Sequence, residues 1–279
     1  MQKLLVFQSL WAMERRSARL PELTTEQSLD RIATAGFDGI SAHWHNRDCV
    51  RSLSTLSRAY GFQFEGQCFP KTIDDLKPVL EIAAEFGVHH ICLQPDVRLK
   101  RIEDCLPLLE GWQRLSEEAD VPVYIETHRG RMTNDLLFTL DILDRMPELK
   151  LLGDLSHYLV GSELVWPISQ ESQAMVHRIL ERSWAFHGRV ATCEQVQIEI
   201  SFPHHRRWLD LFLGWWECGF RNWRKRAAEN ATLAFTCELG PQPYAISGID
   251  SEDSTDRWAE SLTLMQEARR LWTAPDRAA

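Results

Sequence analysis

The sequence predicts one closed (β/α)8 barrel over residues 1–279, and three observations predict it. Eight short apolar or β-branched runs recur along the chain, and longer segments with 3.6-residue apolar spacing lie between them. The turn after the first run, Gln8-Ser-Leu-Trp-Ala-Met-Glu14, has no glycine-rich phosphate cradle of the kind that often follows the first strand of an open doubly wound sheet. Strands that alternate with helices pair in parallel through right-handed crossovers, since a tight hairpin cannot reach a parallel neighbour. Eight such units suit a closed barrel.

The first strand is predicted over residues 3–8 and a helix over 25–35. Ala35-Gly36-Phe37-Asp38-Gly39 then places a glycine after that helix and just before a second strand at 39–43. A third strand falls at 62–67, and Phe86-Gly87-Val88 repeats the glycine signal between a helix at 73–86 and a strand at 90–94. Next come helix 102–119, strand 122–126, helix 134–145, strand 149–154, helix 171–182 and strand 184–189. Residues 190–231 form the longest segment between strands, read as a substrate-facing loop followed by a helix at 208–228. In that helix Trp208, Trp215, Trp216 and Trp223 recur at mostly helical spacing, so they read as packing residues before ligand-stacking ones. The last strand is 232–238, and 251–272 closes the fold as a helix. No repeat or linker divides the chain, which reads as one domain.

Composition sets outer limits. With 44% hydrophobic and 25% charged residues, the chain can bury a sizeable core and is not disordered. Forty acidic residues against 31 basic ones give a net charge of -9, so nucleic acid is not an expected partner, because phosphate binding favours a basic excess or stripe. The apolar run at residues 4–7 is too short for a secretory signal, and no stretch approaches the roughly 18 apolar residues of a membrane span. The expected location is the cytoplasm, with no membrane partner. The 7 cysteines are odd in number and include no C-x-x-C pair, which points to buried free thiols.

Side chains alternate between the two faces of a strand. In Val123-Tyr124-Ile125-Glu126-Thr127-His128, Val123 and Ile125 share one face while Tyr124, Glu126 and His128 share the other. Phe235 and Cys237 alternate with Ala234, Thr236 and Glu238, and Ala185, His187 and Arg189 oppose Phe186. Asp154 ends the run 149–154. Four consecutive strands thus carry Glu126, Asp154, His187 and Glu238 inward at the C-terminal mouth, where the active sites of barrels sit. One acid at a strand end reads most simply as a helix cap or an ion-pair partner. Three converging acids repel one another unless a cation neutralises them. A divalent ion resolves the conflict, and three oxygen donors with one imidazole suit Mn2+, Mg2+, Co2+ or Zn2+.

The segments Gly36-Phe37-Asp38-Gly39-Ile40, Tyr124-Ile125-Glu126-Thr127-His128, Gly153-Asp154-Leu155-Ser156-His157, His187-Gly188-Arg189-Val190 and Cys237-Glu238-Leu239-Gly240-Pro241 resemble, in this order, the xylose isomerase-like TIM barrels. That group includes sugar isomerases, sugar epimerases and DNA-repair enzymes of the endonuclease IV type, and the resemblance spans nearly the whole chain. It implies a metal-dependent isomerase or epimerase of a sugar or sugar-like polyol. Glu126, Asp154, His187 and Glu238 would be the metal ligands, and His157 and Arg189 would hold substrate oxygens. Glu126 and Glu238 would also be the catalytic pair that removes and returns a carbon-bound proton through an enediolate. Two departures qualify the match. Arg189 follows His187 by two residues, where ketose epimerases place their arginine several residues later, and Gln195-Val196-Gln197 stands where the endonuclease branch offers an Asp-x-His pair. The second departure, with the net acidity, ranks DNA phosphodiester cleavage behind isomerisation. A non-catalytic sugar-binding barrel ranks third, since it leaves three converging acids without a reason.

His43, His128 and Gln94 are further candidates for substrate contact, and Gln8, Glu65 and Gln67 share their inward placement. With Trp11 or Trp44, they make a mouth of amides, imidazoles and an indole suited to a small polyhydroxylated partner. His89-His90 lies at the N-terminal end of its strand and reads as a surface pair. His204-His205-Arg206-Arg207 reads as a solvated helix start, with an anion contact as its alternative. A homo-oligomer is compatible with all of this.

Overall fold

The computed structural model of the protein describes residues 1–17, 19 and 21–274. Eight parallel strands close into one barrel in chain order. They are β1 (Lys3–Ser9), β2 (Gly39–His43), β3 (Gln63–Cys68), β4 (His90–Leu93), β5 (Val123–Glu126), β6 (Leu151–Gly153), β7 (Ser183–Gly188) and β8 (Thr232–Cys237). Every predicted strand is present, with its ends displaced by no more than two residues. The helices among the described residues are α1 (Thr25–Thr34), α2 (Arg47–Ser57), α3 (Lys77–Phe86), α4 (Ile102–Ala119), α5 (Leu136–Arg145), α6 (Ser156–Gly161), α7 (Gln170–Leu180), α8 (Arg206–Arg226) and α9 (Arg257–Thr273). None of them is long and apolar enough to cross a membrane.

Local chemistry explains most of the boundaries. Thr24 and Gln27 form a reciprocal capping box at the start of α1, each side chain accepting from the other's backbone N–H. Thr24→Ala is expected to lower stability by about 1 kcal/mol, read from the midpoint of urea unfolding at unchanged slope. Gly36 and Gly87 take φ of +85° and +77°, positive values open to glycine that let the chain leave a helix and turn into a strand. Two helices have no counterpart in the sequence prediction, α2 and α6. In α2 the buried positions are only Val50, Leu53 and Ser57, a stripe too thin to register as a period. Its start is nevertheless marked by Asn46, whose side chain accepts from the N–H groups of Asp48 and Cys49.

Alternation along the strands builds two layers of core. Val6, Ile40, Ile91, Ile125, Phe186 and Phe235 face the helices, joined by the buried indoles of α8, with Trp216 5.0 Å from Phe235. Phe7, Cys92, Tyr124, Leu152, Ala185 and Ala234 fill the lumen. Two residues further along the same strands stand Gln94, Glu126, Asp154, His187 and Thr236, so the apolar plug is the floor of the candidate site. The register corrects two sequence readings. Gln8 lies beside Cys237, a member of the outer core, so it faces the helices and not the mouth. Trp44 follows the inward His43 by one position and is buried against Phe64, 5.4 Å away, in the outer core, which leaves Trp11 as the indole of the mouth.

The mouth is tied together by a buried arginine. Arg257, at the start of α9, donates to the carbonyls of Ala12, Glu14, Arg15 and Leu239 and pairs with Asp253. The turn after β1 and the segment after β8 are thereby fixed to the same guanidinium.

Candidate active site

Each acid at the mouth is held by the protein, Asp154 and Glu126 through one oxygen and Glu238 through both. Asp154, just beyond β6, accepts at Oδ1 from the N–H and Oγ of Ser156, at 3.0 and 2.5 Å. Glu126, the last residue of β5, accepts at Oε2 from Cys92 Sγ at 2.9 Å. Glu238, just beyond β8, accepts at Oε1 from Gln67 Nε2 at 3.0 Å and at Oε2 from Arg189 Nη2 at 2.6 Å. His187 on β7 contacts Glu65 Oε1 through Nε2, at 3.0 Å. Among the described residues, Glu126 Oε1, Asp154 Oδ2 and His187 Nδ1 are buried without a hydrogen-bond partner. One donor atom from each of Glu126, Asp154, His187 and Glu238 lies within 4.8 Å of the others.

These short separations are not hydrogen bonds. His187 Nδ1 is 3.0 Å from Glu238 Oε2 and 3.6 Å from Glu126 Oε1, close ionic approaches that lack the alignment of a hydrogen bond. Four buried carboxyl groups, counting Glu65, face one buried guanidinium and the buried imidazoles of His187, His157 and His90. Unpaired, converging, predominantly anionic oxygen and nitrogen donors are the chemistry of a site for a divalent cation.

The electrostatics follow from burial and neighbours. Burial alone would lift the Glu238 carboxyl, but His187 and Arg189 outweigh it and hold the group down to about 2. Burial would lower the His187 imidazole, but Glu238, Glu65 and Glu126 together hold it well above its ordinary value. Asp154 is pushed up by burial, which Arg189 and His187 only partly offset. His157 is driven well below the ordinary imidazole range by burial, then by His128 and Arg189, so it is neutral. Its Nε2 accepts from Arg189 Nη1 at 3.2 Å, which leaves the buried Nδ1–H unpartnered and able to donate to a ligand oxygen.

The residue that the sequence reading undervalued is Glu65. It is wholly buried, with Ser41 Oγ at 2.6 Å and His187 Nε2 at 3.0 Å on Oε1, and His90 Nε2 at 3.0 Å and Thr236 Oγ1 at 2.9 Å on Oε2. Burial would raise its carboxyl, but His187 and His90 hold it well below the usual range. By taking Nε2, Glu65 turns Nδ1 of His187 toward the acids. His90 and His89 are not the surface pair expected. His90 shares the inward parity of Cys92, is fully buried, and stacks on Tyr124 with ring centres 5.0 Å apart. His89 meets His90 Nδ1 at 2.8 Å and Thr232 Oγ1 at 2.7 Å, and burial, with His90 beside it, pushes it down to about 3. That parity was the available signal. The basic stretch before α8 is likewise not all solvated, because His205 is buried with Nδ1 2.8 Å from the Glu199 carbonyl.

The other candidates surround this centre. His43 is exposed at the end of β2, Gln94 is buried just past β4, and half-buried His128 lies with its ring centre 3.9 Å from that of His157. Arg189 is buried between Tyr244 and Trp11, 4.8 and 5.7 Å from their ring centres. Trp11 in turn packs on Gly240, where any Cβ would come within 2.0 Å of the indole, so this glycine supplies space. Gln197 exchanges two hydrogen bonds with the Gly240 backbone, at 2.7 and 2.9 Å. The long loop after β7 therefore returns to support the mouth from behind.

No family model matches the sequence, and no curated protein matches it. Solved structures do match over almost the whole chain. D-psicose 3-epimerase from Clostridium cellulolyticum H10, solved with D-tagatose, is 12% identical with a TM-score of 0.59, over 97% of this chain and 100% of that one. A xylose isomerase-like TIM barrel protein from Mycobacterium smegmatis, in complex with magnesium, is 11% identical with a TM-score of 0.62, over 96% and 98%. An AP endonuclease, family 2, from Brucella melitensis is 10% identical with a TM-score of 0.55, over 90% and 96%. At these identities the likeness is one of fold: the chain has the fold of the xylose isomerase-like TIM barrels, sugar epimerases among them.

Proposed function

We propose that the protein is a divalent-metal-dependent isomerase or epimerase acting on a sugar or sugar-like polyol. The observation that carries this reading is the convergence of four buried donor atoms, three of them without a hydrogen-bond partner. Glu126, Asp154, His187 and Glu238 would hold the ion, and their donor set suits Mn2+, Mg2+, Co2+ or Zn2+. When bound, the ion supplies positive charge against the negative charge that grows on substrate oxygens as an adjacent carbon loses its proton.

The side chains supply the rest. Arg189 and the Nδ1–H of neutral His157 bind substrate oxygens at the inner wall, and His43, His128 and Gln94 take the remaining hydroxyls around the rim. Glu238, ionised by its cationic neighbours, enters as a proton acceptor. Glu126 approaches from β5 and Glu238 from β8, with His187 between them, so that one removes a carbon-bound proton and the other returns it. Phosphodiester cleavage is the weaker reading, because Gln197 has its amide occupied by Gly240 where that chemistry would call for a metal-binding side chain.

The test is exchange. In deuterated water with Mn2+, the protein is expected to wash deuterium into the carbon adjacent to the carbonyl of a ketose or inosose, followed by 1H NMR. No exchange across a broad panel, or equal exchange after EDTA treatment, overturns the reading. Glu65→Gln is expected to weaken Mn2+ binding about 10–100-fold by calorimetry with an unchanged near-UV spectrum; unaltered affinity would mean that Glu65 does not orient His187.

A further inference from the structure

A cavity of about 510 Å3 opens over the C-terminal ends of β1–β3, beside the candidate metal centre and outside its ligand set. Leu10, Trp11, and Leu53 and Leu56 of α2 line it, together with Glu14, His43 and Asp48, and with Ser41 and Gln67 at its inner end. That inner end is chemically continuous with the centre. Gln67 donates to Glu238 Oε1 at 3.0 Å, and Ser41 donates to Glu65 Oε1 at 2.6 Å, so a group seated in the cavity touches the residues that hold the candidate catalytic carboxylate and the orienting acid. Trp11 belongs to both spaces, since its other neighbours are Arg189 and Tyr244.

The volume falls within the roughly 300–1,000 Å3 of pockets that enclose drug-sized ligands. Most of the surface it offers is apolar, and although Glu14, Thr25, His43 and Asp48 also line it, a hydroxyl seated against the leucine and indole surfaces loses its water without gaining a partner. An alkyl or aryl group against those same surfaces gains burial.

We propose that this cavity is a substrate subsite for an apolar substituent, so that the substrate is a sugar or polyol carrying an aryl or alkyl group. The proposal rests on the isomerase reading above, in that the polyol is placed at the metal centre and the substituent beside it. It makes the stretch from Trp11 to α2 the determinant of specificity.

The experiment uses matched methyl and phenyl 3-keto-β-D-glycosides of the gluco, galacto and xylo series, which keep the carbonyl that the proposed reaction needs, titrated by calorimetry into the Mn2+-treated protein. Cys49 and Ser52 are exposed positions of α2 that line the cavity, and Cys49→Trp and Ser52→Trp fill it from its rim, two variants guarding against the failure of either to fold. In at least one pair the phenyl compound is expected to bind about tenfold or more tighter than the methyl compound. Both variants are expected to abolish that preference while leaving methyl-glycoside and Mn2+ affinity unchanged. Equal binding within every pair overturns the proposal, and so does a phenyl preference that survives both tryptophans. The Mn2+ titration of the unaltered protein separates the two ideas. Absent metal binding overturns the isomerase reading whatever the glycosides do, whereas intact metal binding without a phenyl preference overturns the subsite alone.

Discussion

Glu126→Gln and Glu238→Gln are each expected to lower kcat at saturating Mn2+ by about 10^2–10^4-fold, the usual contribution of a positioned general acid or base. Glutamine keeps the shape of each side chain, and at position 238 an amide oxygen still accepts from Arg189, or from Gln67, so the loss falls on proton transfer and charge more than on packing. Because the two glutamates serve one reaction, the double variant is expected to be little worse than the poorer single one. If they act on opposite faces of the substrate carbon, each single variant still washes deuterium into one epimer while conversion between epimers is lost. Metal occupancy measured alongside separates a weakened ligand from a missing base. Undiminished turnover in both variants would remove the proton-transfer role altogether.

Arg189→Met is expected to destabilise the metal-free protein by about 3–5 kcal/mol, read by chemical denaturation, because it strips a buried cation from carboxylates that stay buried. Arg189 is 2.6 Å from Glu238 Oε2 and 3.2 Å from Asp154 Oδ2 and is almost wholly enclosed. Methionine fills the space between Trp11 and Tyr244 but answers neither charge. The same variant shifts the acid limb of the stability curve. Glu238 is lowered from 4.5 to about 2, so its contribution is fully present above pH 4.5 and lost as the pH falls toward 2. Removing Arg189 removes one of the causes of that lowering, so in Arg189→Met the loss begins at higher pH. An unchanged midpoint and an unchanged acid limb would mean that His187 alone compensates the acids.

How much was legible in the sequence differs by residue. Glu126, His187 and Glu238 could be read because strand alternation sets them against Ile125, Phe186 and Cys237, and the structure turns all three inward. Glu65 and His90 have the same alternation in their favour, yet an acid in mid-strand and a histidine at a strand start carry no mark of the partner waiting across the lumen. They lie 25 residues apart in sequence and 3.0 Å apart in space. Trp44 and Gln8 went the other way, since a mouth assembled from polar or aromatic strand-end residues ignores the one-position shift that moves a side chain to the opposite face. Helix α2 was missed because its buried stripe is thin, and the cavity that it walls was missed with it.

The succession of strands along the chain and the alternation that sets Glu126, His187 and Glu238 opposite Ile125, Phe186 and Cys237 are legible in the sequence alone, because periodicity and parity are local and need no partner. Only the closed barrel decides that Oε1 of Glu126 and Oδ2 of Asp154 are left without a hydrogen bond, which nitrogen of His187 faces the acids, that Arg189 reaches both Asp154 and Glu238, and that a cavity with leucine and indole surfaces opens beside them. Those outcomes depend on contacts between segments far apart in the chain, such as Gln67 with Glu238, whose distances are set by register and closure and leave no trace in local spacing.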